Sequence, residues 1–211
     1  MRRFYPLILI AVAFGVSLAV YGRLPDQVPV HWNWRGDVDR YGSRLEGAFL
    51  LPVIALLLWG VMRGLPKIDP RRANYEKFSG TYDIVISAVV TLLVALHLLV
   101  LGYALGLPIP LTRVIPAMVG ILLMVIGNVL PRARSNWWIG IRTPWTLSSD
   151  RVWQETHRVG GYLMLASGAL MLIAAALPSP LTVWIGLGAL ITSSVASIVY
   201  SYFSWKKEPL S

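Results

Sequence analysis

The chain has 211 residues, 56% of them hydrophobic and 14% charged, and its mean hydropathy of +0.63 is rare in a water-soluble fold of this size. The formal charge of +9 does not mark a nucleic-acid binder, because the basic residues stand between apolar runs and not along one polar face; membrane lipids with anionic headgroups are the expected partner. The absence of cysteine excludes disulfides, Cys-ligated zinc, Fe–S clusters and thiol nucleophiles.

A hydrocarbon core of about 30 Å takes roughly 20 apolar residues at a helical rise of about 1.5 Å. The first run that qualifies is 4–22. Met1-Arg2-Arg3 ahead of it has the outline of a signal peptide, but no small-residue cleavage site precedes the polar stretch that begins at Arg23, so the run is read as a retained span. A polar segment follows, in which Val28, Val30, Trp32 and Trp34 alternate with polar residues. That pattern predicts a short extended stretch with one apolar face, a turn at Arg35-Gly36-Asp37, and His31 and Asn33 together on the opposite face with Asp37 or Asp39 near them. The segment is either a cap over the bundle or a ligand site.

The second run, 47–64, is short and carries Pro52 near its start, where a missing N–H costs little. A basic loop leads to the third run, 82–106, which holds His97 and a Gly102/Gly106 pair. His97 is either a functional residue inside the membrane or a neutral, hydrogen-bonded core residue. The fourth run is 114–130, with Pro116 near its start. Runs five and six are 159–177 and 181–203. Ala189, Ser193, Ser197 and Ser201 in the sixth, like the glycine pair in the third, predict a seam where helices approach closely.

Between runs four and five lies the second polar segment. Pro144 is expected to close a turn, and Ser148 or Ser149 to cap a helix that continues into the fifth span, with Asp150 in its first turn. On that helix Trp153 and His157 are i, i+4 neighbours, and Gly160 and Gly161 leave room for another backbone. Arg142 needs an acceptor, for which Asp150, Glu155 and Asp83 are candidates, and it either clamps the loop or binds a ligand.

Fourteen Lys and Arg residues lie at the termini and in the second and fourth loops, against five on the other side. The positive-inside rule therefore places both termini in the cytoplasm and the His31 segment outside. The expected fold is an all-α integral membrane protein, a bundle of about six transmembrane helices with a short extended extracellular loop. Its expected divisions are an N-terminal two-span unit at 1–64, a basic loop with the third span at 65–113, and a last region at 114–211.

The two polar segments, in this order, resemble the SdpI family, bacterial membrane proteins named for immunity to a secreted peptide toxin. Pro29-Val30-His31-Trp32-Asn33-Trp34-Arg35-Gly36-Asp37-Val38-Asp39 resembles the short domain of unknown function that often precedes the SdpI region. Asn136, the run from Gly140 through Arg142, Thr143 and Pro144 to Leu147, and Trp153 through His157 to Gly161 resemble the family's signature. The resemblance implies a bacterial cell-membrane protein that protects its host from a peptide toxin outside, and that in the founding case also holds a small winged-helix repressor at the membrane. On this reading His31, Asn33, Trp34, Gly36 and Asp39 form the extracellular ligand site. Asn136, Gly140, Arg142, Thr143, Pro144, Trp153 and His157 bind the cytoplasmic partner or shape the loop. The alternatives are a small-molecule or ion transporter and a metal-dependent membrane enzyme such as a hydrolase. Against the first there is no clear repeat between the two halves. Against the second there is no P-loop, GxSxG elbow or HExxH spacing, and His31 and His157 fall on opposite sides, so no catalytic residue, metal ligand or cofactor is assigned.

Overall fold

A computed structural model describes residues 4–178 and 180–208; Arg2 and Arg3, part of the basic count above, lie outside them. Helix α1 (Tyr5–Val20) runs on through a 3-10 turn at Tyr21–Arg23 into the antiparallel strands β1 (Gln27–Trp32) and β2 (Val38–Ser43). After them come α2 (Arg44–Ile68), the one-turn α3 (Asn74–Lys77), α4 (Ser79–Ala104), α5 (Leu111–Val129), the short α6 (Pro144–Ser148), α7 (Asp150–Ala174) and α8 (Leu181–Lys206). Among the described residues, α1, α2, α4, α5, α7 and α8 are long and apolar enough to cross a membrane, and the one sheet is the β1–β2 hairpin. This is the expected six-span α bundle.

Helix α2 is longer than the apolar run alone suggests. Ser43 starts it by accepting the Glu46 N–H at 3.2 Å, and the helix continues past Gly64 to Ile68. Pro52 therefore sits in its third turn, not near its start, and Pro66 also lies inside it. A proline at position i leaves the carbonyl at i−4 without its helical donor, and no water in the hydrocarbon can replace it. Both orphans are satisfied from neighbouring spans. The Ser17 hydroxyl of α1 donates to the Ala48 carbonyl at 2.5 Å, and the Tyr82 hydroxyl of α4 donates to the Met62 carbonyl. His97 joins the first repair through Nε2, 2.8 Å from Ser17 Oγ. Because the Ser17 proton goes to Ala48, the ring must supply the hydrogen at Nε2 and donate it. His97 is fully buried, and its Nδ1 has no hydrogen-bond partner among the described residues.

The spans form two three-helix units. In the first, α1, α2 and α4 pack on one another around Ala13, Ala55, Ile86 and Val90; in the second, α5, α7 and α8 do so. The tightest seam lies in the second unit. A Cβ on Gly120 or Gly127 of α5 would come 2.7 Å from the Gly168 or Gly161 carbonyl of α7, so these backbones are as close as glycine allows. The buried Ser193, Ser197 and Ser201 of α8 face α7 and the adjoining loop, as the stripe predicts. The Gly102/Gly106 pair makes no such seam. Gly102 meets Leu107 and Ile109 of its own following loop, and Gly106, at φ 88°, ends α4 in the left-handed conformation. Within the spans the units meet where α4 packs on α5.

Candidate functional site

One end of the bundle carries the hairpin. Its register pairs Gln27 with Ser43 and Val28 with Gly42, then becomes irregular around His31, which faces Arg40. Val28 packs on Gly47 of α2, where a side chain would find no room, and Trp32 meets the Tyr103 ring of α4 edge-on at 5.6 Å. The hairpin is therefore seated on both helices. The turn is wider than Arg35-Gly36-Asp37. Asn33 N–H donates to the Asp37 carbonyl at 2.9 Å, and Asn33 Oδ1 accepts the Arg35 and Asp37 N–H groups at 2.8 and 3.1 Å. Gly36 at its corner has φ 92°, and a Cβ there would strike the Thr112 side chain at the start of α5. The tip thus rests on the second unit.

Two expectations change here. Asn33 is spent on its own turn and does not stand beside His31 as a free ligand group, because its short amide satisfies the turn's N–H groups. Trp34 leaves the apolar face because the turn begins at Asn33; it is 49% exposed, with the Arg35 guanidinium 4.7 Å from its ring centre. His31 and Asp39 do come together, Nδ1 to Oδ1 at 2.5 Å, and both are exposed. The hairpin rim thus presents an imidazole–carboxylate pair, an exposed indole under an arginine, and the Arg40–Glu46 pair at 2.9 Å.

At the opposite end the polar segment before α7 is tied into a buried knot. His157 is fully buried and uses both ring nitrogens: Nδ1 donates to the Trp153 carbonyl at 2.7 Å, and Nε2 accepts the Ile141 N–H at 3.0 Å. The Trp153 ring stacks on it with centroids 4.0 Å apart, and the Trp153 indole N–H donates to the Ala133 carbonyl at 2.9 Å. Gly140 passes directly over this pair at φ 107°, where a Cβ would strike His157 Nε2. Asn136, also fully buried, accepts the Trp138 and Ile139 N–H groups at 2.9 and 2.8 Å. Thr143 and Thr146 form a capping box that starts α6, so Pro144 opens a helix where a closing turn is expected.

Arg142 is exposed, and its Nη1 donates to the Trp137 carbonyl at 2.7 Å. None of the three expected acids takes it. Asp83 pairs with Arg63 at 2.6 Å, Glu155 pairs with Arg151 at 2.9 Å and accepts the Ser204 hydroxyl, and Asp150 is an exposed first-turn residue of α7. The clamp on this loop is Arg71, which donates to Ser135 Oγ and, at 2.5 Å, to the Leu147 carbonyl. Beside it the buried carboxylate of Asp69 accepts the Arg71 N–H at 2.7 Å, the Tyr75 hydroxyl at 2.8 Å and the Trp137 N–H at 2.9 Å. Burial and that bond to Asp69 both raise the Tyr75 pKa, so its hydroxyl stays a donor.

Sequence reasoning missed Asp69, Arg71, Asn74 and Tyr75. Asp69-Pro70 is a turn signal, but nothing local says that this turn meets residues 135–137. Among the described residues no group of three or more His, Cys, Asp or Glu is placed to hold a metal.

Residues 132–201 match the SdpI/YfhL protein family, and residues 8–56 match a domain of unknown function, DUF1648. The immunity protein SdpI of Bacillus subtilis (strain 168) is 25% identical over 201 residues, which cover 95% of this chain and 94% of that protein. The uncharacterized membrane protein YbgB of the same organism is 27% identical over 88 residues, 41% of this chain and 86% of that one. No solved structure matches.

Proposed function

We propose, from the match of residues 132–201 to the SdpI/YfhL family and of residues 8–56 to DUF1648, that the chain is a multi-pass immunity protein of the bacterial cell membrane that meets a secreted peptide toxin at its hairpin. The observation that supports this reading is the likeness to an immunity protein along 95% of the chain, which takes in the hairpin and the opposite knot together. The excess of Lys and Arg on the knot side supports an orientation with both termini in the cytoplasm and the hairpin outside. The protein acts by binding and not by catalysis.

The roles then divide by exposure. His31, Asp39 and Trp34 meet the peptide, while Asn33 and Gly36 shape the turn that presents them. Inside, Arg142 and Pro144 are open to a partner such as a small winged-helix repressor, over a support of Asn136, Gly140, Thr143, Trp153 and His157. The test is survival of a toxin-sensitive bacterium that expresses the chain. The expected result is protection by the native chain, loss of it in His31→Ala and Asp39→Ala at unchanged membrane level, and its retention in Arg142→Ala. Absence of protection against any cognate peptide overturns the reading.

A further inference from the structure

We propose that the groove where the two three-helix units meet is a lipid site, holding one acyl chain of an anionic phospholipid from the leaflet on the basic-loop side. The groove has a volume of about 620 Å³ and lies between α4 and α5, with Ala88, Thr91 and Ala95 on one wall and Ile121 and Val125 on the other. Tyr5 of α1 closes one flank, its hydroxyl 3.2 Å from Thr91 Oγ1. An empty apolar groove forfeits dispersion contacts along its lining, and water does not fill such a space. Something apolar therefore occupies it in the membrane.

Its length selects the occupant. The lining on α4 runs from Asp83 to Ala95, about 18 Å at 1.5 Å per residue, against a half-thickness of about 15 Å for the hydrocarbon core. A spanning helix, whether from a peptide or from a second copy of this chain, would need a groove of about 30 Å. One tail of one leaflet fits. The charge at the open end selects the headgroup. Asp83 is neutralised by Arg63 at 2.6 Å, and the exposed Lys67 in the last turn of α2, Arg72 in the turn after it and Lys77 of α3 outnumber the exposed Glu76 and leave that end positive. A phosphate with net negative charge gains there what a zwitterionic headgroup does not.

Since the chain has no cysteine, single probes can be placed at will. A bimane fluorophore on Ala95→Cys, in the groove, is compared with one on Ile191→Cys, on the exposed face of α8. Both proteins are placed in vesicles containing increasing fractions of phosphatidylglycerol or phosphatidylcholine with brominated tails. The expected result is half-quenching at Ala95 at a several-fold lower mole fraction of brominated phosphatidylglycerol than of brominated phosphatidylcholine, with the Ile191 curves superimposed. Neutralising the loop as Lys67→Gln with Arg72→Gln removes the preference while leaving quenching intact. Superimposed curves at Ala95 overturn the proposal, as does a bimane at Ala95 shielded from every brominated tail, the signature of a protein helix in the groove.

Discussion

His157 has both ring nitrogens committed to backbone groups, and this decides what it does. Binding a metal or acting as a base would forfeit either the part-buried bond from the Ile141 N–H or the buried one to the Trp153 carbonyl. His157→Ala leaves a cavity and an orphaned donor, an expected cost of about 3 kcal/mol. Arg142→Ala, five residues from the knot's Trp137 carbonyl and open to solvent, is expected to change stability by no more than about 0.5 kcal/mol. Thermal unfolding in detergent separates the two, and an equal loss in both would mean that Arg142 holds the loop after all. The sequence made His157 and Trp153 legible as neighbours on one helix face because i, i+4 spacing on a helix is a local fact; their stacking is seen only in the fold. It left Asp69 invisible, since the Trp137 N–H that this carboxylate accepts is 68 residues away and nothing in the Asp69-Pro70 turn points to it.

At the scale of elements, apolar runs located every span, but their ends were set by polar residues that an apolar count ignores. Ser43 and Ser149 pull the starts of α2 and α7 back into polar sequence, and with α2 extended, Pro52 becomes an interior proline that needs an outside donor. The Ser17 hydroxyl is that donor, which gives a double-mutant cycle with a definite sign. Ser17→Ala in the native background leaves the Ala48 carbonyl and His97 Nε2 unpaired, at an expected cost of about 2 kcal/mol. In a Pro52→Ala background the new N–H at position 52 can serve Ala48 itself. The cost of Ser17→Ala should then fall by about half, the His97 share remaining. Additive losses would show that the helix does not re-form its bond at Ala48. The same account gives the buried histidine of the third span a structural task at Nε2, while its Nδ1 has no hydrogen-bond partner among the described residues.

For the whole molecule, the question is whether the two ends are coupled. The units touch through the Gly36 tip on Thr112 at one end, through α4 on α5 between, and through Asp69, Arg71 and Asn74 on residues 135–147 at the other. If the α4–α5 contact acts as a fulcrum, freeing the tip would let one unit rock against the other and carry strain to the knot as a rigid-body tilt. Gly36→Val frees it, because a β-branched residue is strained at φ 92° and its Cβ collides with Thr112. The expected outcome is hydrogen exchange several-fold faster at the Trp137, Trp138 and Ile139 amides, whose bonds to Asp69 and Asn136 define the knot, with membrane insertion unchanged. Unchanged exchange there, together with a loosened hairpin, would mean that the bundle holds its two ends independently. In that case a peptide bound at the hairpin would have no unequal packing to select, and a partner bound at the knot would be read by the knot alone.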